Sequence, residues 1–369
     1  MAARRKPPSD ASDLTRARTL PAAFYRDAAL FERLRDTLFA STWHGVADDS
    51  QVPPPGGARP LTLLPGLLDE PLLLTRPDEG APHLLSNVCT HRGALLCESP
   101  CTPAGGQLRC RYHGRRFALD GRFVAAPGFE DAQEFPSVTD DLPAAASGRW
   151  GPLLFASLDP AHELRELTAP LDELLGWLPL DRTRPDPSRD GDYYVPAHWA
   201  LYCDNYLEGF HVPFVHPTLS AVLDWGRYET RLWPRGSVQV GFADDGAPDD
   251  AVLAPPAGHA DHGRRVAGYY VWLWPATMIN VYPWGLSVNL VQPLAVDRTR
   301  VRFLSYVWDP AKLDSGAGAG LQRVEGEDES VVGAVQQGVR SRMYRGGRLA
   351  PRHEAAVHQF HRMLAEAAG

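Results

Sequence analysis

Asn87-Val88-Cys89-Thr90-His91-Arg92-Gly93 and, with eighteen residues between His91 and Cys110, Cys110-Arg111-Tyr112-His113-Gly114 are the two stretches that decide how this chain is read. Each offers one thiol and one imidazole, so together they supply two thiolates and two histidine nitrogens. That inventory suits a [2Fe–2S] cluster in which two Cys hold one iron and two His hold the other. It also suits a structural zinc ion with two Cys and two His. Zinc modules tend to pair like with like, Cys with Cys and His with His, whereas each stretch here mixes the two types. The mixed arrangement favours the cluster, with Cys89, His91, Cys110 and His113 as its ligands.

Working outward, four of the five cysteines fall within 22 residues and the fifth is Cys203. An odd, clustered set is a poor disulfide framework and points to a metal or cluster in a reducing cytosol. Cys97 and Cys101, four apart, read as small buried hydrophobes or a redox-sensitive pair rather than ligands. The charged start, Met1 to Pro8, is followed by no apolar stretch of the kind a secretory signal needs, and no apolar run is long enough to suggest a membrane span. The chain is 44% hydrophobic and 22% charged, an ordinary globular composition, and its length allows two to three domains. A formal charge of −8 argues against a nucleic-acid partner.

A second constellation is Asp204-Asn205-Tyr206-Leu207-Glu208-Gly209-Phe210-His211, followed after four residues by His216-Pro217. On a helix Glu208 and His211 share a face, and Pro213 is expected to end that helix so that His216 returns beside His211. Two imidazoles with a carboxylate on one side of an iron leave positions open for O₂ and substrate. The alternative is a pair of histidines with core or surface roles.

Both constellations resemble the Rieske oxygenase family. The stretches around Cys89 and Cys110 match its cluster-binding loops nearly residue for residue, and Pro127-Gly128 resembles the third loop that covers the cluster. The spacing Glu208-x-x-His211-x-x-x-x-His216 is similar to its catalytic motif. Arg115-Arg116 is a departure, because many relatives carry an aromatic residue after the glycine. The resemblance implies one [2Fe–2S] cluster and one mononuclear Fe(II) per chain, the latter held by His211, His216 and a carboxylate on a C-terminal helix.

Helical phase selects among the carboxylates in Val324-Glu325-Gly326-Glu327-Asp328-Glu329. The stripe formed by Val324, Val331, Val332, Val335 and Val339 is centred about 10° from Asp328 and roughly 90° and 110° from Glu327 and Glu329. The family pattern points to Asp328 as well. Glu208 and Asn205 are the remaining catalytic candidates. In related enzymes an acid at the place of Glu208 bridges to a cluster-ligating histidine of a neighbouring subunit, so the resemblance implies a homotrimer with electrons crossing between chains. Glutamate there is similar to choline, carnitine and glycine-betaine oxygenases, whereas most aromatic-ring dioxygenases carry aspartate.

The expected architecture is α+β. An all-β Rieske domain (43–159) is inserted in a helix-grip, Bet v 1-like catalytic domain (160–369) with an antiparallel sheet, preceded by a lead-in segment (1–42) that packs on the catalytic domain. Apolar spacing predicts helices over 24–41, 164–178, 321–343 and 352–367, and strands through 224–308. Aromatic residues near the motif (Trp199, Tyr206, Phe210, Phe214) and on the strands (Tyr270, Trp272, Trp274, Tyr282, Trp284) read as core that can collectively wall a pocket. Such a wall suits a quaternary ammonium or a flat arene. His353, His358 and His361 read as surface or interface residues, and His259 and His262 as solvated. No flavin or nicotinamide fingerprint is present, so a separate reductase or ferredoxin is expected to supply electrons. The expected reaction is hydroxylation or N-demethylation of a small organic substrate with O₂, with arene dioxygenation the alternative and a non-catalytic electron carrier a less favoured one.

Overall fold

The computed structural model describes residues 13–313 and 315–369, so the reading of Met1 to Pro8 lies outside the described residues. The chain divides into two units, Phe39–Leu164 and a second formed by the residues up to Leu38 together with Arg165–Gly369.

The Phe39–Leu164 unit holds three antiparallel three-stranded sheets. Gly57–Leu63, Glu70–Arg76 and His83–Ser86 form one; Gln107–Arg109, Arg116–Ala118 and Phe123–Ala125 form another; Leu153–Ser157 lies between His44–Asp48 and Ala146–Trp150 in the third. Cys89 and Cys110 belong to the same buried cluster as Leu73, Leu85, Leu108 and Phe117. The core of the unit therefore anchors both cysteines and leaves the remainder of each loop at its edge.

The other unit is built on an eight-stranded antiparallel sheet. Six strands run as a meander from Glu229–Trp233 to Arg298–Val307, and Gly191–Val195 and Arg184–Pro185 both pair with that last strand. Gly236–Phe242 and Thr277–Tyr282 are buried along their whole length. Helices Trp199–Tyr206, Leu321–Gly338 and Ala355–Ala367 belong to this unit, and the first two pack against each other. Phe360, fully buried on the last helix, sits edge-on to Trp199, Trp272 and Trp274.

The predicted helix over 24–41 is a short helical turn, Phe24–Arg26, and a helix, Ala28–Leu34, that continues as a wider turn. Asp27 caps the Ala28 helix by accepting from the backbone N–H groups of Ala29 and Leu30. Among the described residues no helix is long and apolar enough to cross a membrane.

Candidate metal centres and substrate cavity

The two Cys-His loops are built alike. Gly93 N–H donates to the Cys89 carbonyl at 3.1 Å and Gly114 N–H to the Cys110 carbonyl at 3.0 Å. Both glycines sit at φ +73°, a left-handed conformation that a side chain would strain. Each cysteine therefore ends a strand-anchored segment, and its histidine lies on the tight loop that follows. Cys89 and Cys110 are each 2% exposed. His91 is half-buried and His113 exposed, with ring centroids 4.6 Å apart. Burial pushes the Cys89 thiol up, so a thiolate there needs the positive charge of a bound metal. Phe129, directly after Pro127-Gly128, meets the His91 ring edge-on at 5.2 Å. Cys97 and Cys101 are free thiols with sulfurs 3.1 Å apart.

The second constellation folds differently from expectation at one point. The helix ends at Tyr206, and Glu208 to His211 form the connecting turn. Pro213 does not end a helix. It lies in the first turn of Val212–Val215, where its missing N–H costs nothing. Glu208 and His211 still meet, because Glu208 accepts from both the backbone N–H (3.0 Å) and Nδ1 (2.8 Å) of His211. Gly209 is required by packing: a Cβ there would lie 2.7 Å from the Tyr228 ring.

His211, His216 and Asp328 converge, each offering a ligand atom within 4.8 Å of the others. His216 Nε2 is 3.0 Å and His211 Nε2 3.5 Å from Asp328 Oδ1. The opposite nitrogens are both held by carboxylates, His211 Nδ1 by Glu208 and His216 Nδ1 by Glu327 at 2.8 Å. This is the outer arrangement that metal-binding histidines need, since it fixes the ring and turns Nε2 toward the metal. Two nitrogens and one carboxylate are the donor set of a non-haem iron(II) site with open positions. Burial disfavours a charged His216, but its bonds to Asp328 and Glu327 outweigh burial and raise its pKa. Glu327, bonded to His216, is held below the usual glutamate range.

Asp328 faces the site, although the apolar stripe used to choose it is displaced. The buried positions of its helix are Glu325, Val332 and Gln336, with Val339 buried just past its end, while Val335 is 43% exposed. The buried face is rotated by about 60° from the valine stripe because two polar residues carry part of it. Gln336 accepts from the His198 backbone N–H and Glu325 from the Tyr202 hydroxyl. Burial pushes the Glu325 carboxyl up to about 8.

A cavity opens onto these residues. Glu208, His211, His216, Asp328 and Asn205 all border it. Its far wall is the sheet. Register places Gln239, Tyr270 and Asn280 in one row across three neighbouring strands, and Asn289 opposite Phe303 on the next pair. Tyr206 ties wall to helix, donating to the Val271 carbonyl and to Asn280 Oδ1. Tyr202, Tyr228, Tyr282 and Phe303 add to the aromatic lining. The Tyr270 hydroxyl and Glu325 Oε1 are buried with no hydrogen-bond partner among the described residues.

Of the aromatic residues singled out from sequence, Tyr206, Tyr270 and Tyr282 line the cavity. Trp199, Trp272 and Trp274 pack on Phe360 instead, and Phe210 and Phe214 are exposed. His361 is not a surface residue: it is buried and bonded to Asp204 at 2.8 Å. The His259 side chain is likewise mostly buried rather than solvated, bonded to the Leu174 carbonyl. Sequence reasoning missed Gln239, Asn280, Asn289 and Glu325 as cavity residues. For Gln239, Asn280 and Asn289 the one local signal is a polar side chain inside an otherwise apolar buried strand; Glu325 lies in a charged stretch and has none.

Residues 180–369 match the catalytic domain of the ring hydroxylating alpha subunit family, and residues 42–136 match the Rieske [2Fe-2S] domain. The chain is 29% identical to choline monooxygenase, chloroplastic, from Arabidopsis thaliana, over 95% of this chain and 83% of that protein. It is 27% identical to the carnitine monooxygenase oxygenase subunit of Escherichia coli (strain K12), over 94% and 93%. In fold it is similar to a quaternary ammonium Rieske monooxygenase solved with L-carnitine (TM-score 0.76, 21% identity, all of both chains). It is similar also to naphthalene 1,2-dioxygenase from Rhodococcus sp. (TM-score 0.67, 18% identity, 95% and 93% of the two chains). Because more than half of the chain matches that catalytic domain and a Rieske domain precedes it, the protein belongs to the ring hydroxylating alpha subunit family and is a Rieske-type oxygenase, an oxidoreductase of the class that carries a [2Fe–2S] cluster and a mononuclear iron.

Proposed function

We propose that this oxygenase acts on a small quaternary ammonium compound, inserting one oxygen atom into a C–H bond beside the nitrogen. The observation that carries the reading is the composition of the cavity wall. Tyr206, Tyr228, Tyr270 and Tyr282 line it, Glu208, Glu325 and Asp328 bring carboxyls, and among the described residues no lysine or arginine borders the space. Aromatic faces attract a cation that cannot donate hydrogen bonds. Relatives named choline monooxygenase and carnitine monooxygenase oxygenase subunit act on compounds of this substrate class.

In this reading Cys89, His91, Cys110 and His113 hold the cluster within a Rieske domain at 43–159. His211, His216 and Asp328 hold Fe(II) within a catalytic domain at 160–369. When bound, the iron supplies O₂ activation with electrons relayed through the cluster. The chain's own residues do the rest. Glu208 and Glu327 keep Nδ1 of His211 and His216 protonated and the rings oriented, Asn205 borders the reacting space, and the tyrosines exclude water and seat the cation. A reductase or ferredoxin donor, a homotrimeric assembly in which Glu208 also contacts the next subunit, and a cytoplasmic setting complete the proposal.

The test is substrate-dependent O₂ uptake by the reconstituted protein with an artificial electron donor, using choline, carnitine, betaine and naphthalene. Uptake coupled to product with a quaternary ammonium supports the reading. Coupled turnover of the arene alone would overturn it in favour of an aromatic-ring dioxygenase.

A further inference from the structure

Arg115 directly follows the glycine of the second Cys-His loop. Its side chain is 4% exposed, and its guanidinium closes a ring of contacts among three segments of the cluster housing. One terminal nitrogen donates to Thr90 Oγ1 at 2.7 Å, between the ligands Cys89 and His91 on the first loop. The other donates to Asp140 Oδ1 at 3.0 Å. Thr90 Oγ1 in turn donates to the Asp140 carbonyl at 2.8 Å, so Thr90, Arg115 and Asp140 form a closed triangle. Asp140 is itself tied down by the backbone N–H of Ser137.

The guanidinium is enclosed by Phe123, Phe129 and Phe135 at 5.1, 5.3 and 5.2 Å. Phe129 is the residue that touches the His91 ring. A permanently charged group is thus desolvated on aromatic faces beside both cluster loops.

We propose that Arg115 is a positioning residue for the cluster, locking the two ligand loops to the Phe129–Asp140 segment and holding the cluster's reduction potential up through its fixed positive charge. The physical reason is that an electron arriving at the cluster adds one negative charge, which a nearby buried cation stabilises. Net charge and burial are principal determinants of such potentials. Asp140 opposes the effect, so the pair sets the value together.

The experiment is an anaerobic spectroelectrochemical titration of the cluster's visible band in the full-length protein. The variants are Arg115→Trp, Asp140→Asn and the double variant. Arg115→Trp replaces the charge by a bulky aromatic ring suited to the same phenylalanine-lined space and is expected to retain iron and sulfide. Its potential should fall, with the reduced-to-oxidised ratio at a fixed poise changing on the order of tenfold. Asp140→Asn should move it the opposite way, and the double variant should return close to the starting value. A merely structural role alters cluster content or spectral shape without this pattern of opposite signs and cancellation. An unchanged potential in Arg115→Trp, or the same fall in single and double variants, overturns the proposal. If Arg115→Trp does not retain the cluster, Asp140→Asn decides, and no upward shift there overturns it equally.

Discussion

Replacing Glu327 by alanine should loosen the mononuclear iron while leaving the cluster untouched. Glu327 Oε2 lies 2.8 Å from Nδ1 of His216, a side chain only 1% exposed. The substitution removes the acceptor of a charge-assisted bond and strands a buried N–H. Bonds of this kind contribute about 1.5–3 kcal/mol, which converts to roughly 10- to 150-fold in iron affinity at 1.36 kcal/mol per tenfold. Loss of outer carboxylates from metal sites costs about 10- to 100-fold, a consistent range. The ion pair of Glu327 with Arg323 adds little, because Arg323 is 64% exposed; Arg323→Ala is the control and should change affinity less than about twofold. The assay is chelator competition against Fe(II)-loaded protein, with the cluster's visible spectrum as an internal reference. Glu327→Gln should fall between, since its amide oxygen can still accept from Nδ1–H. Activity of Glu327→Ala should recover in excess Fe(II). Wild-type iron retention by that variant would refute the role assigned to Glu327.

Further outcomes follow from the same geometry. His211→Ala should preserve the cluster's visible spectrum and abolish turnover; loss of the spectrum would sink the assignment of two separate centres. Tyr228→Leu should raise KM for a quaternary ammonium substrate about 3- to 30-fold, equivalent to a cation–π contribution of ~0.5–2 kcal/mol, with a smaller change for an uncharged isostere; equal effects on both would count against cation recognition by that ring. Glu325, raised to about 8 by burial, stays protonated in the folded chain while the unfolded chain ionises at the ordinary glutamate value. Its carboxyl therefore makes stability fall as pH rises from about 4.5 to about 8, with no further loss above that. Thermal melts of iron-stripped protein across this window should show the decline, and Glu325→Gln should flatten it; a parallel slope in the variant would show that Glu325 does not ionise in this way.

The local part of the site was legible because its chemistry is contiguous. Cys89 with His91, Cys110 with His113, and Glu208 with His211 lie within three residues of each other, and the glycines that turn each cluster loop are visible as letters. Strand and helix spans in 224–308 and 321–367 also follow apolar period closely. Pro213 was misread because a proline can end one helix or open the next, and only the turn at Leu207 to His211 shows which. The valine stripe on the Leu321–Gly338 helix pointed near Asp328 yet missed the true buried face, because Glu325 and Gln336 are buried through partners more than a hundred residues away.

The sequence by itself thus determined the donor types and the two-centre character of the protein, since ligand identity and short spacing are local properties of the chain. The tertiary structure alone decided the cavity: strand register brings Gln239, Tyr270 and Asn280 into one row and sets Asn289 behind them. It also decided that Glu327 supports His216 and that Arg115 joins Thr90 to Asp140. Those contacts depend on which distant segments pack together, and a side chain's partner across a fold is set by packing rather than by its neighbours in the chain.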